Sequence, residues 1–244
     1  MKEIKRMELF HAGKANNVYL TNYPEYLELE ASDRISAGNG VKTDVISGKG
    51  VANNIVSTAI FNRLEENGIQ THYVQPGSND ASKIVLRATP ILLEVIGRFK
   101  ASGSYVKRYN VPVMMSFDPV FVEYTYKSDL AGDPLIGEDA IIANGILTRR
   151  ELGYIEYITE RVGTVVKRFF DDCNAELIDY KIEFGRLPNG QIVVIDEISP
   201  DTCRILDKDT GKCLDKDRFR KDMGGVAETY EEVSQKVLRL KMKK

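Results

Sequence analysis

Leu177-Ile178-Asp179-Tyr180-Lys181-Ile182-Glu183-Phe184, the turn residues Asn189-Gly190, and then Ile192-Val193-Val194-Ile195-Asp196-Glu197 form the stretch that decides how the chain is built. Side chains alternate across a strand, so Ile178, Tyr180, Ile182 and Phe184 share one face while Asp179, Lys181 and Glu183 share the other. Asn-Gly between two such runs predicts a tight hairpin, which brings Asp196 back beside Glu183 on the neighbouring strand. Two adjacent carboxylates repel each other unless a cation lies between them. Oxygen ligands in ones and twos suit Mg²⁺, which fills its remaining positions with water and phosphate. The alternative is a solvated face on which Lys181 offsets Asp179 and Glu183. The polar loop that follows, Asp196-Glu197-Ile198-Ser199-Pro200-Asp201-Thr202-Cys203-Arg204, favours a site, because ligand-binding residues concentrate where loops leave apolar strands.

Working outward, residues 18–20 and 26–30 around Asn22-Tyr23-Pro24 read as strand, turn, strand. Val51, Ile55, Ala59, Ile60 and Leu64 recur at helical spacing up to Gly68, predicting an amphipathic helix with Lys49 near its N-terminus. Residues 73–75 and 84–87 flank the turn-rich Pro76-Gly77-Ser78-Asn79-Asp80, and 91–96 and 120–126 predict two further apolar strands. Thr148-Arg149-Arg150-Glu151 is a capping box, and Leu152, Ile155, Ile158, Val162, Val165 and Phe169 continue one face of the longest helix to about residue 171. After the hairpin comes a loop through Arg204, and helical spacing runs from about residue 217 to the end. Asp33-Arg34 reads as a surface ion pair of small energetic weight. Strands first and mixed elements later imply an α+β fold.

The 244 residues suffice for one large domain or for two lobes sharing a cleft, and 43% hydrophobic with 29% charged residues is an ordinary globular balance. Lys plus Arg total 34 against 36 for Asp plus Glu, so no global field draws the chain to nucleic acid or to an anionic membrane. Any phosphate must meet a local basic site. Cys173, Cys203 and Cys213 form no C-x-x-C pair and, with only His11 and His72 beside them, predict reduced thiols rather than zinc. The start MKEIKRMELF lacks the apolar run of a signal peptide and no later segment is long enough to span a bilayer, so a cytoplasmic location is expected.

The pattern D-x-K-x-E-F-G at 179–185, followed by D-E-I-S-P-D-T-C-R at 196–204, resembles SAICAR synthetase, the phosphoribosylaminoimidazole-succinocarboxamide synthase family. Four further segments resemble the family in its own order: His11-Ala12-Gly13-Lys14-Ala15 with Val18-Tyr19, Gly48-Lys49-Gly50-Val51-Ala52-Asn53-Asn54, Lys127-Ser128-Asp129-Leu130-Ala131-Gly132-Asp133-Pro134, and Leu214-Asp215-Lys216-Asp217-Arg218-Phe219-Arg220. The resemblance implies a two-lobed ATP-binding fold similar to protein kinases and ATP-grasp enzymes. A strand-rich nucleotide lobe at 1–90 would sit over an α+β lobe at 91–244, with nucleotide between them, and the chain would form a homodimer. It also implies an Mg²⁺- and ATP-dependent ligase of purine biosynthesis. Such an enzyme joins 5-aminoimidazole-4-carboxylate ribonucleotide (CAIR) to L-aspartate through an acyl phosphate and releases SAICAR, ADP and phosphate.

Carried over by position, Gly13, Lys14 and Ala15 would cover the phosphates, with glycine letting backbone N–H groups approach an anion. Lys127 would also bind ATP, while Glu183 and Asp196 would hold both ATP and Mg²⁺. Asp179 and Lys181 would be catalytic and line the acceptor or aspartate pocket. Arg98, Ser104, Asp133 and Arg204 would bind substrate, with Arg98 and Ser104 on the ribose 5′-phosphate and the Arg204 fork on a phosphate or carboxylate. The segment Arg98-Phe99-Lys100-Ala101-Ser102-Gly103-Ser104 departs from the family, with Phe99 in place of Asn, Ser102 in place of Ala, and Gly97 ahead of it in place of an apolar residue. Asn16 stands where a lysine is common and is expected to weaken phosphate contacts. Two other functions fit the same residues: a small-molecule kinase, and a nucleotide-binding module without turnover.

Overall fold

The computed structural model describes residues 3–38, 40–128 and 130–242. Three strands, β1 (Arg6–Ala12), β2 (Asn16–Thr21) and β3 (Tyr26–Ala31), lead into a small hairpin of β4 (Arg34–Ala37) and β5 (Lys42–Val45). Helix α1 (Lys49–Glu66) then crosses to β6 (Tyr73–Pro76) and β7 (Ser82–Leu86). The long strand β8 (Thr89–Lys100) opens the second half, followed by α2 (Ser104–Tyr109), β9 (Ser116–Tyr126), α3 (Glu138–Ala143) and α4 (Arg149–Asp172). Strands β10 (Ala175–Arg186), β11 (Ile192–Ile195) and β12 (Cys203–Asp207) and helices α5 (Asp217–Arg220) and α6 (Val226–Met242) complete this α+β chain.

One antiparallel sheet runs β1-β2-β3-β7-β6 and a second runs β11-β10-β8-β9, with β12 also on β10. Strand β10 is long enough to serve two partners on one edge, β11 beside residues 183–186 and β12 beside residues 175–180. Its apolar alternation faces α4, where Leu152, Ile155, Val162, Val166 and Phe170 bury against Tyr180, Ile182 and Phe184. The Thr148 cap is real: its hydroxyl accepts from the Glu151 N–H at 3.3 Å, and the Glu151 carboxylate accepts from the Thr148 N–H at 2.8 Å. Residues 70–72 stitch the two sheets together, since His72 N donates to the Val194 carbonyl at 2.9 Å and the His72 carbonyl accepts from Leu86 N at 2.7 Å.

Several expectations change in the folded chain. On α1 the predicted stripe is only partly buried, with Val51 exposed, whereas Val56 and Phe61 and the polar Lys49, Asn53, Asn54 and Ser57 are inside. The cause is that α1 packs against β3, β6 and β7, α4 and α6, so more than one face is covered. Arg204 lies on a strand rather than in a loop, because β12 pairs with β10 and sets Arg204 opposite Asp179. The C-terminal helical pattern divides at Gly224 and Gly225, both at positive φ. Asp33 and Arg34 turn to different partners: the Asp33 carboxylate accepts from Gly48 N and Gly50 N at the start of α1, while Arg34 donates to the Gly13 carbonyl at 2.8 Å. No helix among the described residues is long and apolar enough to cross a membrane.

His72 gives the fold a specific acid sensitivity. Complete burial, and after it the charge of Lys83, pushes its imidazolium down to about 3 from 6.5. A depressed folded value keeps its stability contribution intact above pH 6.5 and loses it as pH falls from there toward 3, because only the unfolded chain takes up the proton. Between neutrality and about pH 5 this single group costs about 2 kcal/mol. His72→Gln is expected to flatten the acid limb of a urea-unfolding series by that amount; the same slope in variant and wild type would contradict it.

Candidate functional site

The register of β8 on β10 builds the site. Asp179 stands opposite Arg98, Lys181 opposite Ile96, and Glu183 opposite Glu94, so the charged face of β10 meets the same face of β8. From the other side Glu183 is opposite Ile195, which delivers the next residue, Asp196, to the same place at a left-handed φ of 65°. The Lys181 ammonium donates to Glu183 at 2.8 Å, to Glu94 at 3.1 Å and to Asp196 at 3.4 Å, and Lys127 donates to the second oxygen of Glu183. Burial alone would raise the Glu183 carboxyl, but Lys181 and Lys127 overcome it and hold the group low. Asp196 goes the other way: burial and then the Glu183 charge push it above the usual carboxylate range despite Lys181. The pocket therefore carries more negative charge than its two ammonium groups relieve.

At the other end of the face one oxygen of Asp179 accepts from Arg98 at 2.7 Å and from Arg204 at 2.8 Å. Arg98 is 1% exposed, so the solvated-face alternative fails here; its Nε also donates to Glu123 at 3.0 Å. Burial would lower the Arg204 guanidinium, yet Asp179 and then Asp217 raise it, the latter at 3.3 Å from Nε. Gly103, at φ 56°, lies flat against that guanidinium: a Cβ there would meet Arg204 Nη2 at 2.5 Å. This close approach carries Ser104 into the cleft. Between the two ends lies a cleft of about 330 Å³, with Ala15, Glu197, Thr202, Lys216 and Arg220 in its walls. A larger cavity of about 1110 Å³ is lined by Leu92 of β8 and mainly by apolar groups such as Pro90, Tyr126 and Leu187, with Arg87 and Arg186 but no carboxylate in its wall.

Ala15, Arg98, Ser104, Asp179, Lys181, Asp196 and Arg204 are thus brought to one cleft, with Lys127 and Glu183 joined to it by their ion pair. Gly13 and Lys14 occupy the β1–β2 turn next to Ala15, but the Gly13 N–H is taken by the Asn16 carbonyl at 2.9 Å and does not point at an anion. Asp133 is not brought in: at φ 50° its carboxylate accepts from Ser128 N at 2.9 Å and closes its own turn. Asp129 of the same segment lies outside the described residues. Glu94, Glu197, Lys216 and Arg220 were not foreseen. Glu94 carried a signal, since it stands four residues before Arg98 on one strand and therefore on the same face. Lys216 and Arg220 are separated by a helical turn in Lys216-Asp217-Arg218-Phe219-Arg220.

Cys203 also lines the cleft, but burial and then Asp179 push its thiol upward; burial likewise raises Cys173 to about 12 and Cys213 to about 11. None of the three is a thiolate near neutrality. Ellman titration at pH 8 is expected to find almost no fast-reacting thiol in the folded protein and three after unfolding; a fast stoichiometric thiol in the native state would contradict this.

The sequence profile of SAICAR synthetase matches residues 9–237. The chain belongs to the SAICAR synthetase family. A phosphoribosylaminoimidazole-succinocarboxamide synthase of Finegoldia magna is 44% identical over 227 residues, covering 93% of this chain and 97% of that protein. The Methanopyrus kandleri synthase is 42% identical over 239 residues, covering 97% of this chain and 96% of its own length. Among solved structures, the Ehrlichia chaffeensis synthase superposes with TM-score 0.91 at 34% identity, covering 94% of this chain and 98% of that one. A SAICAR synthetase in complex with ADP superposes with TM-score 0.89 at 35% identity, covering 94% and 97%. In this fold the Gly97 and Phe99 departures have a packing cause. A Cβ on Gly97 would stand 2.3 Å from the Tyr180 ring and hydroxyl, so Gly97 makes room for Tyr180, and Phe99 packs on the same ring at 6.1 Å.

Proposed function

We propose that the chain condenses CAIR with L-aspartate at the expense of ATP, giving SAICAR, ADP and phosphate. The observation that carries this is the single charged face of β8 and β10, with three carboxylates gathered on Lys181 at one end and two arginines gathered on Asp179 at the other. ATP is the natural occupant of the carboxylate end, consistent with the ADP complex of the related synthetase. Its base would enter the apolar cavity lined by Leu92, two residues before Glu94 on β8. The donor set fits Mg²⁺: Glu183 and Asp196 are two oxygen ligands at the same ammonium, and the elevated Asp196 carboxyl marks a place where added positive charge is favoured. When bound there, Mg²⁺ supplies charge neutralisation to the transferring phosphoryl group.

The chain's own residues do the rest. Arg98 and Arg204, held by Asp179, offer guanidinium edges to the phosphate of the nucleotide acceptor beside Ser104. The acceptor carboxylate takes the γ-phosphoryl group on one oxygen and ADP departs. The aspartate amine then adds to the acyl carbon, loses a proton and expels phosphate, so every atom is accounted for. Lys181 spans the phosphoryl donor and the acceptor carboxylate and can neutralise both during transfer. Lys216 and Arg220 give the cleft wall further positive charge suited to the carboxylates of aspartate. The lobes at 1–90 and 91–244 and the homodimer belong to the same proposal.

A coupled ADP-release assay with each substrate omitted in turn tests this. ADP is expected only when ATP, CAIR and aspartate are all present. Sustained ADP release without aspartate, with a phosphorylated product, would make the protein a small-molecule kinase instead.

A further inference from the structure

The segment Lys49-Gly50-Val51-Ala52-Asn53-Asn54 takes no part in the chemistry above, yet it holds one of the most buried charges in the molecule. Lys49 is 1% exposed and its ammonium lies 2.8 Å from Asp201, which is itself almost fully covered. Tyr230 of α6 donates its hydroxyl to the other oxygen of Asp201, and its ring lies 5.9 Å from the Lys49 ammonium. One helical turn further along α1, Asn53 is 1% exposed, and among the described residues neither end of its amide has a hydrogen-bond partner. A second turn along, the Ser57 hydroxyl accepts from Ile198 N at 3.4 Å and from Lys83 at 3.0 Å. Positions 49, 53 and 57 share one face of the helix, and its two ends address residues 198 and 201 of a single loop.

That loop is internally braced. Asp201 N donates to the Ser199 hydroxyl at 3.1 Å, Ser199 donates to the Glu197 carboxylate at 2.8 Å, and Ser199 N donates to the Thr202 hydroxyl at 3.0 Å. These bonds tie residues 197–202 together between two site residues, Asp196 just ahead of them and Arg204 just after them on β12. A buried ion pair is seldom better for stability than apolar groups of the same shape, because desolvation offsets the attraction. What it supplies is a fixed geometry between two elements.

We propose that Lys49 is a positioning residue: through Asp201 it sets the placement of loop 196–202 and thereby aligns Asp196 with Glu183 and supports the start of β12, which carries Arg204 to Asp179. The proposal rests on the site reading above and extends it to Lys49, which lies behind the cleft wall that Asp201 helps to form. Lys49 acts through Asp201 and touches no substrate.

The test uses Lys49→Met, Lys49→Arg, Asp201→Asn and the double variant Lys49→Met/Asp201→Asn. For each, urea unfolding, calorimetric binding of ADP with Mg²⁺, and steady-state kcat and KM are measured. Lys49→Met is expected to lower kcat at least tenfold and weaken Mg²⁺-ADP binding about tenfold, with Lys49→Arg recovering most of both. Asp201→Asn should behave like Lys49→Met, and the double variant should be no worse than the poorer single one, since both act through one contact. Should Lys49→Met fail to fold, the double variant, which leaves no unpaired buried charge, carries the same comparison. Wild-type binding and turnover in the folded variants, or losses that follow stability and are not rescued by arginine, would overturn the proposal. ADP release by the wild type without aspartate would overturn the ligase reading alone, because the ADP-binding arm still tests Lys49.

Discussion

Asp196→Asn is expected to lower turnover by about 10³-fold or more, equivalent to about 4 kcal/mol of transition-state stabilisation, while leaving the unfolding midpoint unchanged or raised. The two effects separate because of where the carboxylate sits. Burial and the neighbouring Glu183 already disfavour its charge, so removing that charge relieves the folded state. The same charge is what a divalent ion requires of its ligand. Glu183→Gln should match it in activity but lose some stability, since Lys181 and Lys127 both forfeit a partner. Kinetics and urea unfolding on the two variants check this pair of signs. Near-wild-type turnover in both would remove the metal role.

Gly97→Ala is expected to destabilise the fold by about 3 kcal/mol, the upper range for overpacking a well-filled core. The Tyr180 side chain is wedged between two glycines: a Cβ at Gly97 would stand 2.3 Å from its ring and one at Gly163 2.3 Å from its hydroxyl, which is tied to the Thr159 carbonyl at 2.7 Å. The ring cannot retreat. Replacing Tyr180 with Val removes the obstacle at the cost of a cavity, so Gly97→Ala/Tyr180→Val should be markedly less destabilised than the sum of its single changes. Simple additivity in urea unfolding would show that the alanine is absorbed some other way.

The charged face of β10 was legible because alternation is a local property: Asp179, Lys181 and Glu183 had to share a side, and Asn189-Gly190 had to fold Asp196 back toward them. What β10 would meet was not local. The insertion of β8 between β9 and β10 joins residues about eighty positions apart, so the pairing of Asp179 with Arg98 could not follow from any window of sequence. For the same reason Glu94 passed as part of an apolar strand, and Arg204 passed as a loop residue until β12 found its place on β10. Helix α1 misled in a different way. Periodicity assumes one buried stripe, but α1 is covered on more than one side, which drew Lys49, Asn53 and Ser57 inside. The departures around Arg98 were visible only as breaks in the family pattern when read one at a time. In the fold, Gly97 and Phe99 are an adjustment to Tyr180.

Calorimetric titration of ADP into the protein with and without Mg²⁺, repeated on Glu183→Gln/Asp196→Asn, most directly tests whether these two strands grip a nucleotide-bound cation. Mg²⁺ should tighten ADP binding severalfold in the wild type and leave it unchanged in the double variant; an equal Mg²⁺ enhancement in both would contradict the assignment.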